Sequence, residues 1–205
     1  MTDPTPYLFW ITSRAAGTAA LLLSSLGVCV GLLMGGRLVR RRGAELRATH
    51  EALSLATLAA IAVHGLSLLG DGYLHPSVAD IAVPFASAYR TGWTAAGIVA
   101  GWSLAALGLS YYARRWIGGR RWRKLHRFTV LAWALGVVHA VGEGTDSGQL
   151  WFLAMVAIAV VPALALLLVR VGGGVARPAP RRAMSARVVD VARSSRGLPA
   201  EGGRY

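Results

Sequence analysis

Apolar residues form five long stretches between residues 8 and 170, separated by short polar segments. Each stretch has about 18 to 25 residues, enough to cross about 30 Å of hydrocarbon as a helix. The pattern predicts an all-α integral membrane bundle of about five transmembrane helices. The predicted spans are about Tyr7 to Met34, Ala48 to Leu69, Thr91 to Tyr112, Leu125 to Val141 and Trp151 to Arg170.

The composition fits a chain whose solvent is lipid, with 55% hydrophobic and only 15% charged residues. The polar loop from Gly70 to Arg90 contains residues that resist both helix and strand. After Gly172 the composition changes to Gly, Pro, Ala, Ser and Arg. We therefore expect a transmembrane domain over residues 1–171 and a disordered, basic tail over 172–205.

The positive charge is concentrated in three segments. All of the 22 Lys and Arg residues except Arg14 and Arg90 lie in the first loop, in the third loop (Arg114 to Arg127) or from Arg170 onward. The positive-inside rule makes these segments cytoplasmic, with the N-terminus outside and the C-terminus inside. The net charge of +13 then reflects a multi-pass protein of the cell membrane, held by the lipid bilayer, and indicates no nucleic-acid partner.

Four of the five histidines lie in the second and fourth predicted spans, which run in the same direction. At 1.5 Å per residue, the two histidines of each span are about 20 Å apart along the helix axis. His50 then lies level with His126, here named the inner pair, and His64 with His139, the outer pair. Histidines inside a span face the protein interior and indicate function.

Each pair can hold one haem iron between two imidazoles, which fills both axial positions and leaves electron transfer as the function. The alternative is a haem-free membrane scaffold, or a transporter whose histidines relay protons. One feature requires an irregular helix: His126 and His139 are about 140° apart around a regular helix. We therefore expect either a distortion of the fourth span, at its start or near Gly136, or haems held at different azimuths.

Four arginines are candidate partners of haem propionates. Arg47 and Arg123 each stand three residues before an inner histidine, on the same helix face. Arg14 and Arg90 are the only outer cations. The alternative for Arg47 and Arg123 is that they only add positive charge to the cytoplasmic side. The alternative for Arg14 and Arg90 is that their side chains snorkel to the membrane interface. His75 is expected to be a solvated loop residue rather than an extra ligand.

These features resemble the ferric reductase-like transmembrane domain family. It includes the membrane portions of NADPH oxidases and ferric reductases, and the haem-binding subunit of the bacterial periplasmic methionine sulfoxide reductase system. The resemblance rests on histidines 14 and 13 residues apart in two parallel spans, each following a basic loop, and covers roughly Trp10 to Val169. Similar segments of its bacterial branch are TSRAAG (Thr12 to Gly17), VPFASAYRTGW (Val83 to Trp93) and HAVGEGTD (His139 to Asp146).

The resemblance implies that His50, His64, His126 and His139 are axial ligands of b-type haem. Two haems are expected, and the alternative is a single haem. It implies a bacterial cytoplasmic membrane and an oxidoreductase membrane subunit with no catalytic residue of its own. Because some members of this family have six spans, six spans are the alternative to the five that the hydropathy pattern predicts.

The resemblance also bears on partners. NADPH oxidases continue into a flavin and nicotinamide domain, whereas this sequence has no glycine-rich dinucleotide fingerprint. We therefore expect a separate electron donor, a flavin reductase or a quinol. The acceptor is expected to be an extracytoplasmic reductase subunit or a ferric acceptor. The alternative activity is that of a self-sufficient ferric chelate reductase.

Overall fold

The computed structural model describes residues 7–35, 43–144 and 146–175. Within these ranges the chain is mostly helical and contains no strand, and five helical segments are long and apolar enough to cross a membrane. This confirms the predicted fold class. The helices are α1 (Leu8–Gly35), α2 (Gly43–Leu68), α3 (Val78–Ala82), α4 (Thr91–Leu109), α5 (Arg114–Ile117), α6 (Gly119–His126), α7 (Thr129–Glu143) and α8 (Leu150–Val175).

Two antiparallel helix pairs organise the bundle. α1 packs along α2, and α4 packs along α7, while α1 also contacts α7 and α2 contacts α4. Small residues dominate the buried positions, which lets the helix backbones approach closely in the absence of a hydrophobic driving force within lipid. The buried residues include Ala20, Ala95, Ala100, Ala132 and Ala163.

The fourth span consists of α6 and α7, which together cover Gly119–Glu143. The two helices meet at Arg127 and Phe128, where the hydrogen bonds change to the tighter i to i−3 type. The amides of Phe128 and Leu131 donate to the carbonyls of Leu125 and Phe128, at 2.9 and 3.0 Å. The expected distortion is therefore at the start of the span and not near Gly136.

This tightened turn changes the direction in which the histidines of the span point. A 3₁₀ turn advances about 120° per residue instead of about 100°. Three such residues reduce the expected divergence of His126 and His139 from about 140° to about 80°. Both side chains can then point toward α2.

The polar segments contain more helix than predicted. α5 and α6 occupy most of the third loop, because its arginines and lysine are good helix formers and Trp122 and Leu125 give α6 an apolar side. In the outer loop, α3 begins at Ser77, whose hydroxyl and the Asp80 carboxylate form a capping box. The hydrogen bonds from Ser77 hold the pKa of Asp80 below its usual value.

At the inner end, the Arg170 guanidinium donates to the carbonyl of Leu32 at 3.3 Å, which satisfies a C-terminal carbonyl of α1. The helix α8 continues to Val175, beyond the predicted end of the last span. Most of the first basic loop (36–42) and of the predicted tail (176–205) lies outside the described residues, so the predicted disorder of the tail stays a prediction.

Candidate functional site: two histidine pairs

The structure brings the four span histidines together as two pairs. The ring centroids of His50 and His126 are 6.1 Å apart, and those of His64 and His139 are 6.2 Å apart. The ring planes are steeply inclined in both pairs, at 87° and 69°. These are the two pairs that the helical rise predicts to lie level.

In the outer pair, both imidazoles contact a backbone carbonyl of a neighbouring helix through Nδ1. His64 Nδ1 lies 2.8 Å from the carbonyl oxygen of Ser13 in α1. His139 Nδ1 lies 2.8 Å from the carbonyl oxygen of Trp93 in α4. The buried Ser13 hydroxyl donates to the His64 carbonyl and lies 3.0 Å from His64 Nδ1, which ties α1 to α2 at this level.

In the inner pair the two imidazoles differ. His50 Nδ1 lies 3.0 Å from the carbonyl oxygen of Gly27 in α1. His126 Nδ1 is buried and makes no hydrogen bond of normal geometry, although the imidazole has a backbone contact with Leu107 in α4. A backbone carbonyl therefore holds His50, whereas other contacts hold His126.

The carbonyl contacts determine which nitrogen carries the proton. A carbonyl oxygen only accepts, so Nδ1 of His50, His64 and His139 must be the protonated nitrogen. Nε2 then keeps the lone pair that a metal ion requires. Metal-binding histidines in proteins commonly donate their second N–H to such a carbonyl. The donor set therefore fits a metal bound through Nε2.

At His126, a stacked indole ring takes the place of the hydrogen bond to a backbone carbonyl. The rings of Trp122 and His126 are 4.9 Å apart and inclined by only 24°. Trp122 Nε1 donates to the Ser110 hydroxyl at 3.2 Å, and its ring also contacts Tyr111. Trp122 was not predicted as a site residue; its one signal in the sequence is its position one helical turn before His126.

A second tryptophan lies between the two levels. Trp133 is 2% exposed, and its Nε1 donates to the Ser25 hydroxyl, itself 1% exposed, at 3.0 Å. Seven residues separate it from His126 and six from His139, which correspond to about 10 and about 9 Å of helical rise. Trp133 was not predicted as a site residue either, and its signal in the sequence is its position midway between the two histidines.

The two outer arginines are held at the outer end of the bundle. Arg14 forms an ion pair with Asp146 and lies over the Trp10 ring. Arg90, at the start of α4 with a left-handed φ of 40°, donates to the carbonyl of Gly142 at 2.7 Å. Arg14 follows Ser13 directly, and Arg90 stands three residues before Trp93. Their predicted propionate role stays a prediction.

The two inner arginines, Arg47 and Arg123, are exposed at the other end of the bundle. Beside them, the Tyr112 hydroxyl donates to the carboxylate of Glu51 at 2.8 Å, and this hydrogen bond raises the pKa of Tyr112. Their role as propionate partners also stays a prediction.

Two other residues with side chains that can bind metal lie apart from the pairs. His75 is exposed in the outer loop, and Cys29 lines an apolar cleft between α1 and α8. In the described parts of the chain, no group of three or more His, Cys, Asp or Glu side chains is placed to hold a metal ion. The candidate site therefore consists of the two histidine pairs and the side chains around them.

Comparisons with protein-family models, with curated proteins and with solved structures found no match for this chain.

Proposed function

We propose that this protein carries electrons across the membrane through b-type haem held by the inner pair, His50 and His126, and the outer pair, His64 and His139. The observation that carries the proposal is the spacing of the imidazoles. A metal–nitrogen bond of about 2 Å on each side places two axial imidazole centroids about 6 Å apart. Both observed separations, 6.1 and 6.2 Å, are close to this value.

Haem iron with two axial imidazoles exchanges single electrons and offers no open position to a substrate. The protein residues supply the ligands, their orientation and an apolar surrounding. The Nδ1 contacts of three imidazoles leave Nε2 for the iron. The tightened turn at Arg127 and Phe128 supports the same arrangement, because it brings His126 and His139 closer to one face of the fourth span.

Two levels about 20 Å apart cover most of the hydrocarbon thickness of about 30 Å. Trp133 lies between them as a buried aromatic ring with its only N–H satisfied by Ser25. An aromatic ring in the gap shortens the distance that an electron crosses between levels. This placement favours a route through both pairs rather than two independent sites.

We place the donor on the cytoplasmic side, as a separate flavin reductase or a membrane quinol. The acceptor is an extracytoplasmic reductase subunit or a ferric compound in a bacterial cytoplasmic membrane. The resemblance to the ferric reductase-like transmembrane domain family supports this direction. Arg14 and Arg90 are the candidate partners of the outer propionates, and Arg47 and Arg123 of the inner propionates.

Alanine substitution of each histidine tests the pairing. We expect His64→Ala and His139→Ala to remove the same outer haem, and His50→Ala and His126→Ala to remove the inner haem. The measurement is haem per chain, with a redox titration of the haem that remains. The matched control is His75→Ala, which should keep the full haem content because His75 lies in the outer loop.

One result would contradict the pairing directly. If His50→Ala and His64→Ala left the same single haem with the same midpoint potential, the histidines of one helix would share a haem. The two levels of the proposal would then be wrong.

A further inference from the structure

The same backbone pattern recurs around three of the four imidazoles. The carbonyls that face Nδ1 belong to Ser13, Gly27 and Trp93. The residue four positions later in the same helix is glycine each time. The three glycines are Gly17, Gly31 and Gly97.

Each of these glycines lies directly against the histidine concerned. A Cβ added at Gly97 would lie 2.5 Å from His139 Nδ1, and one at Gly17 would lie 2.9 Å from His64 Nδ1. At Gly31 the nearest atom would be His50 Cε1, at 3.1 Å. The first two positions leave no room for any side chain, and the third leaves very little.

Helix geometry explains the spacing of four. The Cα–Cβ bond points toward the helix N-terminus, so the side chain of residue i+4 leans over the carbonyl of residue i. That carbonyl already accepts the amide of residue i+4 and has a second lone pair for another donor. Glycine at i+4 opens this lone pair to an imidazole from the neighbouring helix.

The fourth histidine provides an internal contrast. The imidazole of His126 has a backbone contact with Leu107, and the residue four positions after Leu107 is Tyr111. Here no hydrogen bond of normal geometry forms, and Trp122 stacks on the imidazole instead. The three imidazoles whose Nδ1 contacts a carbonyl each have this glycine, whereas His126 has neither the contact nor the glycine.

We infer that Gly17, Gly31 and Gly97 are positioning residues that set the orientation of His64, His50 and His139 on the haem iron. The inference rests on the proposed function. A methyl group at these positions displaces the imidazole from its carbonyl, which changes both the angle of the ring about the metal–nitrogen bond and the strength of that bond. A loss of such an outer contact typically weakens metal binding about 10-fold to 100-fold.

Single alanine substitutions in the full-length, haem-loaded protein provide the test. Gly97→Ala should shift the low-spin electron paramagnetic resonance signal and the midpoint potential of the outer haem, and leave the signal of the inner haem in place. We expect its outer haem to be lost about 10-fold to 100-fold more readily. Gly31→Ala should do the same to the inner haem alone.

Two other glycines serve as matched controls. A Cβ at Gly101, in the same helix as Gly97, would meet Ile61 Cγ2 at 3.4 Å, and one at Gly136 would meet Ala100 Cβ at 3.8 Å. Both are ordinary contacts away from the imidazoles. Gly101→Ala and Gly136→Ala should therefore keep both signals and both potentials unchanged.

The outcomes separate this inference from the proposed function. A wild-type protein without haem overturns the proposed function. Two haems in the wild type, with signals and potentials that do not move in Gly97→Ala and Gly31→Ala, overturn the positioning role alone. Equal shifts in the control variants also overturn it. Gly31→Ala introduces the mildest contact and decides the question if Gly97→Ala fails to fold.

Discussion

Single residues decide which imidazole nitrogen is available in each pair. A neutral imidazole has one donor and one acceptor nitrogen, and a neighbouring carbonyl selects Nδ1 as the donor. Backbone carbonyls of Ser13, Gly27 and Trp93 make this selection. His126 is the exception, because the Trp122 ring holds it.

Trp122→Leu should therefore affect the inner haem alone. The substitution removes an aromatic stack worth about 0.5–1.5 kcal/mol and leaves His126 without its main support. We expect partial loss of the inner haem during purification and full retention of the outer haem, measured as haem per chain and by redox titration. Trp116→Leu, at a ring that is 74% exposed, is the control. Equal loss of both haems in Trp122→Leu would rule out this local role.

At the scale of helices, the junction of α6 and α7 sets the relative direction of His126 and His139. Its tight turn spans Arg127 and Phe128, whose backbone angles stay close to helical. No proline marks the site, so the sequence indicates that a distortion is required without indicating where. In the structure α6 contacts α5 and α4, whereas α7 packs along α4 and contacts α1, so the turn joins two segments with different neighbours.

Insertion of one alanine after Phe128 should disrupt haem binding at one level. The insertion rotates α7 by about 100° relative to α6 and shifts it by about 1.5 Å. His126 and His139 then cannot both face their partners in α2. We expect no more than one haem per chain, whereas an alanine inserted beside Gly148, where the loop is open, should leave two. Two haems in the Phe128 insertion would show that the junction is not important.

For the whole molecule, the sequence predicts the number of spans and the level of each histidine, because helical rise and membrane thickness determine both. The sequence does not predict the direction in which the histidines point around the helix axis. The tightened turn that sets this direction leaves no clear signal in the sequence. The sequence also gives no signal for the roles of Gly27, which supplies a carbonyl to His50, and of Gly31, which makes room for that imidazole. The sequence does not predict the helices of the third loop, because a run of arginines is also typical of a loop that connects two spans.

Trp133→Leu tests whether the two pairs act as one route. Trp133 is buried between the levels, and its loss lengthens the gap without touching a ligand. We expect both haems to remain with unchanged spectra, while electron transfer between them after rapid reduction of one becomes slower. Ser25→Ala, which removes the partner of the indole N–H and keeps the ring, should have a smaller effect. Unchanged transfer in Trp133→Leu would mean that the ring is not part of the route.

The most direct test of haem binding at both pairs is the visible absorbance spectrum of the purified protein before and after reduction, together with haem per chain. We predict sharp alpha and Soret bands on reduction and two haems per chain. A featureless visible spectrum in a protein with full helicity by circular dichroism would contradict haem binding at either pair. A single haem per chain would contradict binding at both.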